Sequence, residues 1–141
     1  MIIDSSAIIA ILFDEVDATS FANAIALAPS CRISAANYVE AAVVVDSQSV
    51  TGGQQFDALI RRAGITIEPV SEEQARLARQ AYADFGKGRH SAALDFGDCF
   101  SYALAKATRE PLLFKGDDFS KTDVDAARRT NWKRPANKLS V

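Results

Sequence analysis

Acidic residues fall at positions from which several carboxylates could reach one site. Asp4 directly follows the first apolar run of the chain, and the pair Asp117 and Asp118 follows the last one. Asp98 lies in the first turn of a predicted helix, and Glu40 lies inside another. In an open α/β sheet, the carboxyl ends of parallel strands and the amino ends of the following helices meet at one edge. We therefore expect these acids to share a pocket at that edge.

A pocket of carboxylates needs compensating charge. Two carboxylates about 4 Å apart repel by roughly 4 kcal/mol at an effective dielectric constant near 20. Either protons or a cation must offset this repulsion. Oxygen ligands suit a hard ion, which favours Mg²⁺ or Mn²⁺. Zinc is disfavoured because Cys31 and Cys99 are far apart in the sequence and His90 is the only histidine.

Glu40 is informative because of its neighbours along the helix. It shares a helix face with Ala36, Val43 and Val44, which we expect to face the core. Burying an unpaired carboxylate costs several kcal/mol, so a cation or several hydrogen-bond donors should lie nearby. The alternative is a boundary position from which the side chain reaches water.

Ordinary structural roles could explain the other acids one at a time. Asp4 could cap a helix, and Asp98 would lie at position N3 of a capping box if Asp95 is the cap. Asp117 and Asp118 suit a turn. We favour a shared site because all of these acids are predicted at the same edge of the sheet.

The order of apolar runs and amphipathic segments predicts the elements that position these acids. Strands are predicted at residues 1–3, 31–33, 65–67 and 112–114. Six helices are predicted. Four have predicted ranges, which are 7–13 with Ser5 and Ser6 as caps, 17–28, 71–85 and 95–108. The other two are predicted to follow the cap Ser34 and the break at Gly52 and Gly53. This alternation predicts an α/β fold with a mainly parallel sheet and helices on both faces.

Length and composition indicate one globular domain. The chain has 141 residues, of which 48% are apolar and 24% charged, and a net charge of -2 gives no global attraction to nucleic acid. No signal peptide or membrane span is predicted, and the separated cysteines indicate reduced thiols in the cytoplasm. A basic tail begins at about residue 121, for which we expect a solvated end; it contains Lys121, Arg128, Arg129, Lys133, Arg134 and Lys138.

Other chemistries have weaker support. A Ser-His-Asp arrangement would need His90, which lies in a glycine-containing loop with no nucleophile elbow nearby. Lys87 and Arg89 in the same loop could contact a phosphate or simply solvate the loop. Neither a GxxxxGK[ST] loop nor a GxGxxG turn occurs, which argues against nucleotide hydrolysis and dinucleotide binding.

Four segments together make the chain resemble the PIN-domain ribonucleases of the VapC toxin type. Residues 3–7 (IDSSA) are similar to the family's amino-terminal IDTSA element, and Glu40 lies in the third helix, as in the family. Residues 96–105 (FGDCFSYALA) and 112–119 (LLFKGDDF) complete the resemblance. It covers nearly the whole chain and implies a three-layer α/β/α sandwich, a single PIN-like domain over residues 1–141.

The resemblance also assigns site residues by position. Asp4, Glu40 and Asp98 match the first three acids of the family, and Ser6 matches the hydroxyl residue that helps to orient the metal site. Asp95 stands where close relatives usually have Asn, so it adds a charge near the site.

The fourth acid departs from the family pattern. The last acid of the family commonly follows a Thr at the spacing TxD, but Phe114 and Gly116 occupy these two positions here. The role therefore passes to Asp117 or Asp118.

The implied activity is metal-assisted hydrolysis of RNA phosphodiester bonds, with Asp4 and Asp98 as the main ligands of Mg²⁺ or Mn²⁺. Lys87, Arg89 and Lys115 are candidates for contacts with RNA phosphates. The resemblance further implies a cytoplasmic toxin of a type II toxin-antitoxin system, a homodimer, and a VapB-type antitoxin whose peptide covers the first helices. The alternative is a catalytically silent acidic α/β module that binds a partner and a structural cation.

Overall fold

The computed structural model describes residues 1–129, which contain a four-stranded parallel sheet in the order β3-β2-β1-β4. The strands are β1 (Ile2–Ile3), β2 (Cys31–Ser34), β3 (Ile65–Glu68) and β4 (Leu112–Leu113). The helices are α1 (Ser5–Leu12), α2 (Ala18–Leu27), α3 (Ala35–Gln48), α4 (Val50–Arg62), α5 (Glu72–Phe85) and α6 (Phe96–Thr108), followed by a 3₁₀ turn at Phe119–Lys121. All four predicted strands are confirmed.

The two-residue strand β1 lies between β2 and β4 inside the sheet. Ile2 pairs with Arg32 on one side and with Leu112 on the other. The main-chain N–H of Asp4 donates to the carbonyl of Leu113 at 2.9 Å, which extends the ladder to the last residue before α1. The carboxyl end of the central strand therefore delivers Asp4 to the middle of one sheet edge.

Alternating residues of the strands pack into two separate cores. Ile3 and Leu113 point to a core formed with α1, α2, α3 and α4. Ile2 and Leu112 point to the opposite core, formed with α5 and α6. Burial on both faces is what a parallel sheet between helices requires. The predicted three-layer α/β/α sandwich is thus confirmed.

Two helix starts differ from the prediction. Helix α1 begins at Ser5 rather than Ala7, because Asp4 itself is the N-cap and its Oδ2 accepts from the N–H of Ser6 at 3.0 Å. Helix α4 begins at Val50, so the predicted break at Gly52 and Gly53 is wrong. These glycines lie near the start of α4, where the Oγ of the cap Ser49 accepts from the N–H of Gly52 at 3.0 Å.

Close packing restricts the two glycines in α4 to different degrees. A Cβ atom on Gly52 would lie 3.0 Å from the carbonyl oxygen of Val45, and one on Gly53 would lie 2.5 Å from Oδ1 of Asp46. A side chain at Gly52 would therefore press on the backbone of α3, whereas one at Gly53 would displace only the end of the exposed Asp46 side chain.

The core-facing side of α3 also differs from the prediction. Asn37, Ala41 and Val45 are buried, whereas Val43 is 64% exposed. The face of Glu40 is therefore a boundary rather than a core face. Valines and alanines occur all around this helix, so the sequence alone did not define which side packs inward.

Basic residues near the end of the described chain contact the domain itself. The guanidinium of Arg129 lies 3.5 Å from a carboxylate oxygen of Asp17 and 4.5 Å from the ring centroid of Phe21. Lys121 donates to the carbonyl of Ser91 at 3.4 Å. The remaining basic residues of the predicted tail, Lys133, Arg134 and Lys138, lie outside the described residues. Among residues 1–129, no helix is both long and apolar enough to cross a bilayer.

Candidate active site

Asp4 is held at the sheet edge by two elements. Its side chain is 2% exposed, and its Oδ2 accepts from the N–H of Ser6 within α1. Its Oδ1 accepts from the hydroxyl of Ser101 on α6 at 2.5 Å. Burial raises the pKa of Asp4, and the hydrogen bonds from Ser101 and Ser6 oppose this rise. The carboxylate is therefore fixed in place by α1 and α6 together.

Glu40 has the hydrogen-bond donors that its position requires. Its Oε1 accepts from the hydroxyl of Ser5 and from Nδ2 of Asn37, the latter at 3.4 Å. Asn37 Nδ2 also donates to the carbonyl of Gly97 at 2.9 Å, which joins α3 to α6. Any Cβ atom at Gly97 would overlap the Glu40 carboxylate. Burial raises the pKa of Glu40, and the charge of Asp4 raises it further.

Asp98 forms the predicted capping box with Asp95 at the start of α6. The N–H of Asp98 donates to Oδ1 of Asp95 at 2.9 Å, and the N–H of Asp95 donates to Oδ2 of Asp98 at 2.9 Å. Burial is the main reason why the pKa of Asp98 is raised to about 7, and the charges of Asp4 and Asp95 add to the rise. The structural role of Asp98 as a helix cap is therefore real, but it leaves the negative charges close together.

We call Asp4, Glu40, Asp95 and Asp98 the acid cluster. The charges of Asp4 and Asp95 raise the pKa of the other members. Across residues 1–129, no lysine or arginine forms an ion pair with any of the four. The cluster thus concentrates carboxyl groups at the edge of the sheet without a cationic side chain to offset their charge when they ionise.

The donor chemistry of the acid cluster fits a hard divalent cation. All of its side-chain donors are carboxylate oxygens, as Mg²⁺ and Mn²⁺ prefer, and such an ion would offset the repulsion among them. In the described part of the chain, no three His, Cys, Asp or Glu side chains already surround a single metal position. The ligand roles of Asp4 and Asp98 therefore stay predictions.

The two candidates for the fourth acid lie on the loop after β4. This loop is tied to α1, because the N–H of Lys115 donates to the hydroxyl of Ser6 at 3.0 Å. Gly116 then turns the chain with a φ angle of +90°. Asp117 and Asp118 are exposed, and in the described residues neither side chain is hydrogen-bonded to the acid cluster. The fourth acid therefore stays a prediction, as does the orienting role of Ser6.

The three candidate phosphate-binding residues differ in whether they already form ion pairs within the protein. Lys115 forms ion pairs with Glu15 and with Asp17, the latter at 3.5 Å. The guanidinium of Arg89 lies 5.6 Å from the ring centroid of Tyr82, and Lys87 borders a groove between α5 and α6. Lys87 and Arg89 are therefore freer than Lys115 to contact a phosphate.

His90 has a structural role in its loop. Its Nδ1 accepts from the N–H of Ala92 at 3.0 Å, and its ring lies edge-on to Phe85 with centroids 5.2 Å apart. These contacts hold the turn between α5 and α6.

The sequence analysis missed the role of four residues that contact the acids. The sequence features that could have indicated these contacts differ among the four. Asn37 lies three residues before Glu40 and therefore on the same helix face, so the sequence alone could have indicated this contact. Ser5 and Gly97 are chain neighbours of Asp4 and Asp98. Ser101 gave no local signal, since it is 97 residues away from the carboxylate that it contacts.

Comparisons with known proteins define the class of the fold. A family model described as PIN domain matches residues 1–125. The structure is similar to that of VapC20 from Mycobacterium tuberculosis, described as a toxin that cleaves the sarcin-ricin loop, with a TM-score of 0.72 and 14% identity over 92% of this chain and 98% of that one. It is also similar to a chain of a toxin-antitoxin complex from Klebsiella pneumoniae, with a TM-score of 0.66 and 18% identity over 86% of this chain and 92% of that one.

Sequence relatives narrow the class further. The chain is 57% identical over 129 residues to the ribonuclease VapC28 of Mycobacterium tuberculosis, which covers 90% of this chain and 97% of the relative. The chain therefore belongs to the PIN-domain VapC ribonucleases, the toxins of toxin-antitoxin systems. The predicted family, fold and ribonuclease class are confirmed. The alternative of a catalytically silent module is disfavoured.

Proposed function

We propose that Asp4, Glu40 and Asp98 of the acid cluster, together with Asp117 or Asp118, form the catalytic centre of a metal-dependent endoribonuclease. The observation that carries the proposal is that Asp4 is buried, and that Glu40 and Asp98 are half-buried and close enough for the charge of Asp4 to raise the pKa of both, without an ion pair in the described residues. Such a group favours a bound cation, for which we propose Mg²⁺ with Mn²⁺ as a substitute.

Each residue of the centre has a proposed role. Asp4 and Asp98 would be the main ligands of the ion, and Ser6 would orient the site. When bound, the ion would supply an activated water and offset negative charge on the phosphate. Glu40, whose pKa is raised mainly by burial, would accept the proton of the attacking water. Asp117 or Asp118 would assist Glu40.

A cleavage assay tests the proposal. Structured RNAs are incubated with the protein in Mg²⁺, in Mn²⁺ and in EDTA, and the products are mapped. We expect cleavage with either metal, none in EDTA, and a loss of at least about 100-fold in Asp4→Asn and Asp98→Asn. Asp57→Asn, which changes an exposed aspartate on α4, is the control and should cleave normally. Cleavage in EDTA, or full activity of Asp4→Asn, would overturn the proposal.

We further propose that a VapB-type antitoxin covers the exposed surface of α1 and α2 and extends from there to block the acid cluster. Phe13, Val16 and Leu27 are large apolar residues that remain exposed there, whereas Ile8 and Phe21 fill the core. Leu27→Lys should weaken inhibition by the antitoxin while the free enzyme cleaves as before. Unchanged inhibition in Leu27→Lys and Val16→Lys would argue against this surface.

A homodimer in the cytoplasm completes the proposal. Val39 and Val43 on α3 are exposed valines that suit self-association. Both cysteines are free and buried, as in proteins of reducing compartments. Sedimentation equilibrium should give a dimer for the wild type and a shift toward monomer for Val39→Lys. A wild-type monomer at micromolar concentration would contradict the dimer.

A further inference from the structure

A largely apolar groove of about 640 Å³ lies between α5 and α6. Its walls include Ala78, Arg79 and Tyr82 from α5 and Phe96 and Cys99 from α6, and Lys87 borders it from the connecting loop. The volume is within the range of pockets that bind small ligands or single ligand groups.

The groove borders the acid cluster at Asp95. Asp95 is part of the groove wall, and the same residue forms the capping box with Asp98. A ligand group in the groove would therefore lie next to the site where a phosphate is proposed to react.

Two aromatic side chains present open surface at the groove. Phe96 is 79% exposed and Tyr82 is 41% exposed. Phe96 contacts Phe100 edge-on, with ring centroids 4.9 Å apart and an angle of 75° between the planes. Exposed aromatic rings beside a nuclease centre suit the stacking of unpaired nucleobases.

Free cations surround these rings. Arg79 and Lys87 border the groove, and Arg89 lies beside the ring of Tyr82. Within residues 1–129 none of these three forms an ion pair, whereas Arg76 on the same helix pairs with Glu72 at 2.7 Å. Positive charge combined with stacking surfaces complements single-stranded nucleic acid better than an apolar peptide.

We propose that this groove binds a nucleobase of single-stranded RNA next to the cleaved bond. The base stacks on Phe96 and Tyr82, and Arg79 and Lys87 contact the neighbouring phosphates. This inference rests on the proposed ribonuclease function of the acid cluster. It explains why an apolar groove with unpaired cations opens beside that cluster.

The test compares substitutions that keep or remove the aromatic ring. Fluorescence anisotropy measures binding of a labelled nine-nucleotide single-stranded RNA in EDTA, with Asp98→Asn present in every variant to prevent cleavage. Phe96→Leu should weaken binding by roughly 5-fold to 100-fold, whereas Phe96→Tyr should stay within about 2-fold. Val50→Ala, which changes a residue that is 81% exposed on α4, is the control.

Cations are tested by salt dependence in the same assay. Arg79→Gln should weaken binding and reduce the slope of log affinity against log salt by about one. Arg76→Gln, the matched change at a paired arginine on the same helix, should leave the slope unchanged. An RNA of the same length with abasic positions should bind Phe96→Leu and Phe96→Tyr equally.

Several results would overturn the inference. Equal affinity of Phe96→Leu and Phe96→Tyr for the intact RNA would exclude stacking on Phe96. Loss of dimers in Phe96→Leu with unchanged RNA affinity would assign the groove to a second copy of the chain.

If Phe96→Leu does not fold, the pair Tyr82→Leu and Tyr82→Phe provides the same comparison. These outcomes leave metal-dependent cleavage intact, whereas failure of the proposed function appears as cleavage in EDTA or in Asp4→Asn.

Discussion

Asp4 combines two roles that the sequence presented as alternatives. Its Oδ2 caps α1 through Ser6, and its Oδ1 faces α6 and accepts from Ser101. Capping therefore uses one oxygen and does not exclude a function for the carboxylate. Asp98 behaves in the same way, because its capping box with Asp95 coexists with a raised pKa.

Ser101→Ala is expected to destabilise the protein and reduce cleavage. The change removes the only hydroxyl that donates to Oδ1 of Asp4 among the described residues, so the ionised carboxylate loses a buried partner. The free energy of unfolding should fall by about 1 to 3 kcal/mol at alkaline pH, measured by urea denaturation. Ser47→Ala, which removes an exposed hydroxyl bonded to a helix carbonyl, should change it by less than about 0.5 kcal/mol. A similarly small effect of Ser101→Ala would contradict the structural role of this contact.

The raised pKa of Asp98 predicts how stability depends on pH. In the folded protein this pKa is about 7, whereas an unfolded aspartate titrates near 3.9. The folded state therefore binds a proton that the unfolded state releases, and this contribution to stability is lost as the pH rises from about 4 to 7. In EDTA, the wild type should lose about 1 to 2 kcal/mol more than Asp98→Asn between pH 5 and pH 8, after allowance for solvent screening. Parallel pH profiles of the two proteins would show that Asp98 does not titrate in this range.

At the residue scale, the sequence indicated the acids, but it did not indicate those of their partners that are distant in the chain. Asp4, Glu40 and Asp98 each occur where a strand ends or on a helix, in segments with a recognisable pattern. Ser101 and Gly97 act on Asp4 and Glu40 across 97 and 57 positions of the chain, which gives no local pattern. The choice between Asp117 and Asp118 depends on the conformation of an exposed loop.

At the scale of elements, the contact between α3 and α6 holds the acid cluster together. Asn37 bonds both Glu40 and the carbonyl of Gly97, and the Glu40 carboxylate fills the space where a side chain of residue 97 would lie. The glycine is therefore needed for the close approach of the two helices.

Gly97→Ala should separate these helices at the acid cluster. We expect a loss of about 1 to 3 kcal/mol in the free energy of unfolding, because the new methyl group overlaps the Glu40 carboxylate. In a double-mutant cycle, Gly97→Ala should cost much less in the Glu40→Ala background, although cleavage should remain low in both. Equal costs in the two backgrounds would mean that the methyl group meets something other than Glu40.

Some sequence patterns were sufficient to predict the helices and strands, and others were not. The strands β1 and β4 are buried apolar runs, as expected for parallel strands covered on both faces, and short segments with Ile at their ends or centre marked β2 and β3. The start of α4 was missed because Gly52 and Gly53 look like a break, although both lie within α4 and Gly52 packs closely against the backbone of α3. The inward face of α3 was misassigned because its valines and alanines lie on all sides.

At the scale of the whole molecule, the sheet separates two surfaces that meet at the acid cluster. Helices α1 and α2 lie on one face and carry the proposed antitoxin surface, and α5 and α6 lie on the other and form the groove. Helix α1 begins at the edge where β1 ends at Asp4, and the groove meets the acid cluster at Asp95. An inhibitor and a substrate could thus compete for one centre from opposite layers of the sandwich.

The central claim is that the acid cluster binds a divalent cation, and a calorimetric titration of Mn²⁺ tests it most directly. At pH 7.5 the wild type should show saturable binding, and Asp57→Asn should bind equally well. Asp4→Asn and Asp98→Asn should each weaken the affinity by at least about 10-fold, since each removes a carboxylate from the proposed ligands. Wild-type affinity in both of these variants would contradict the account.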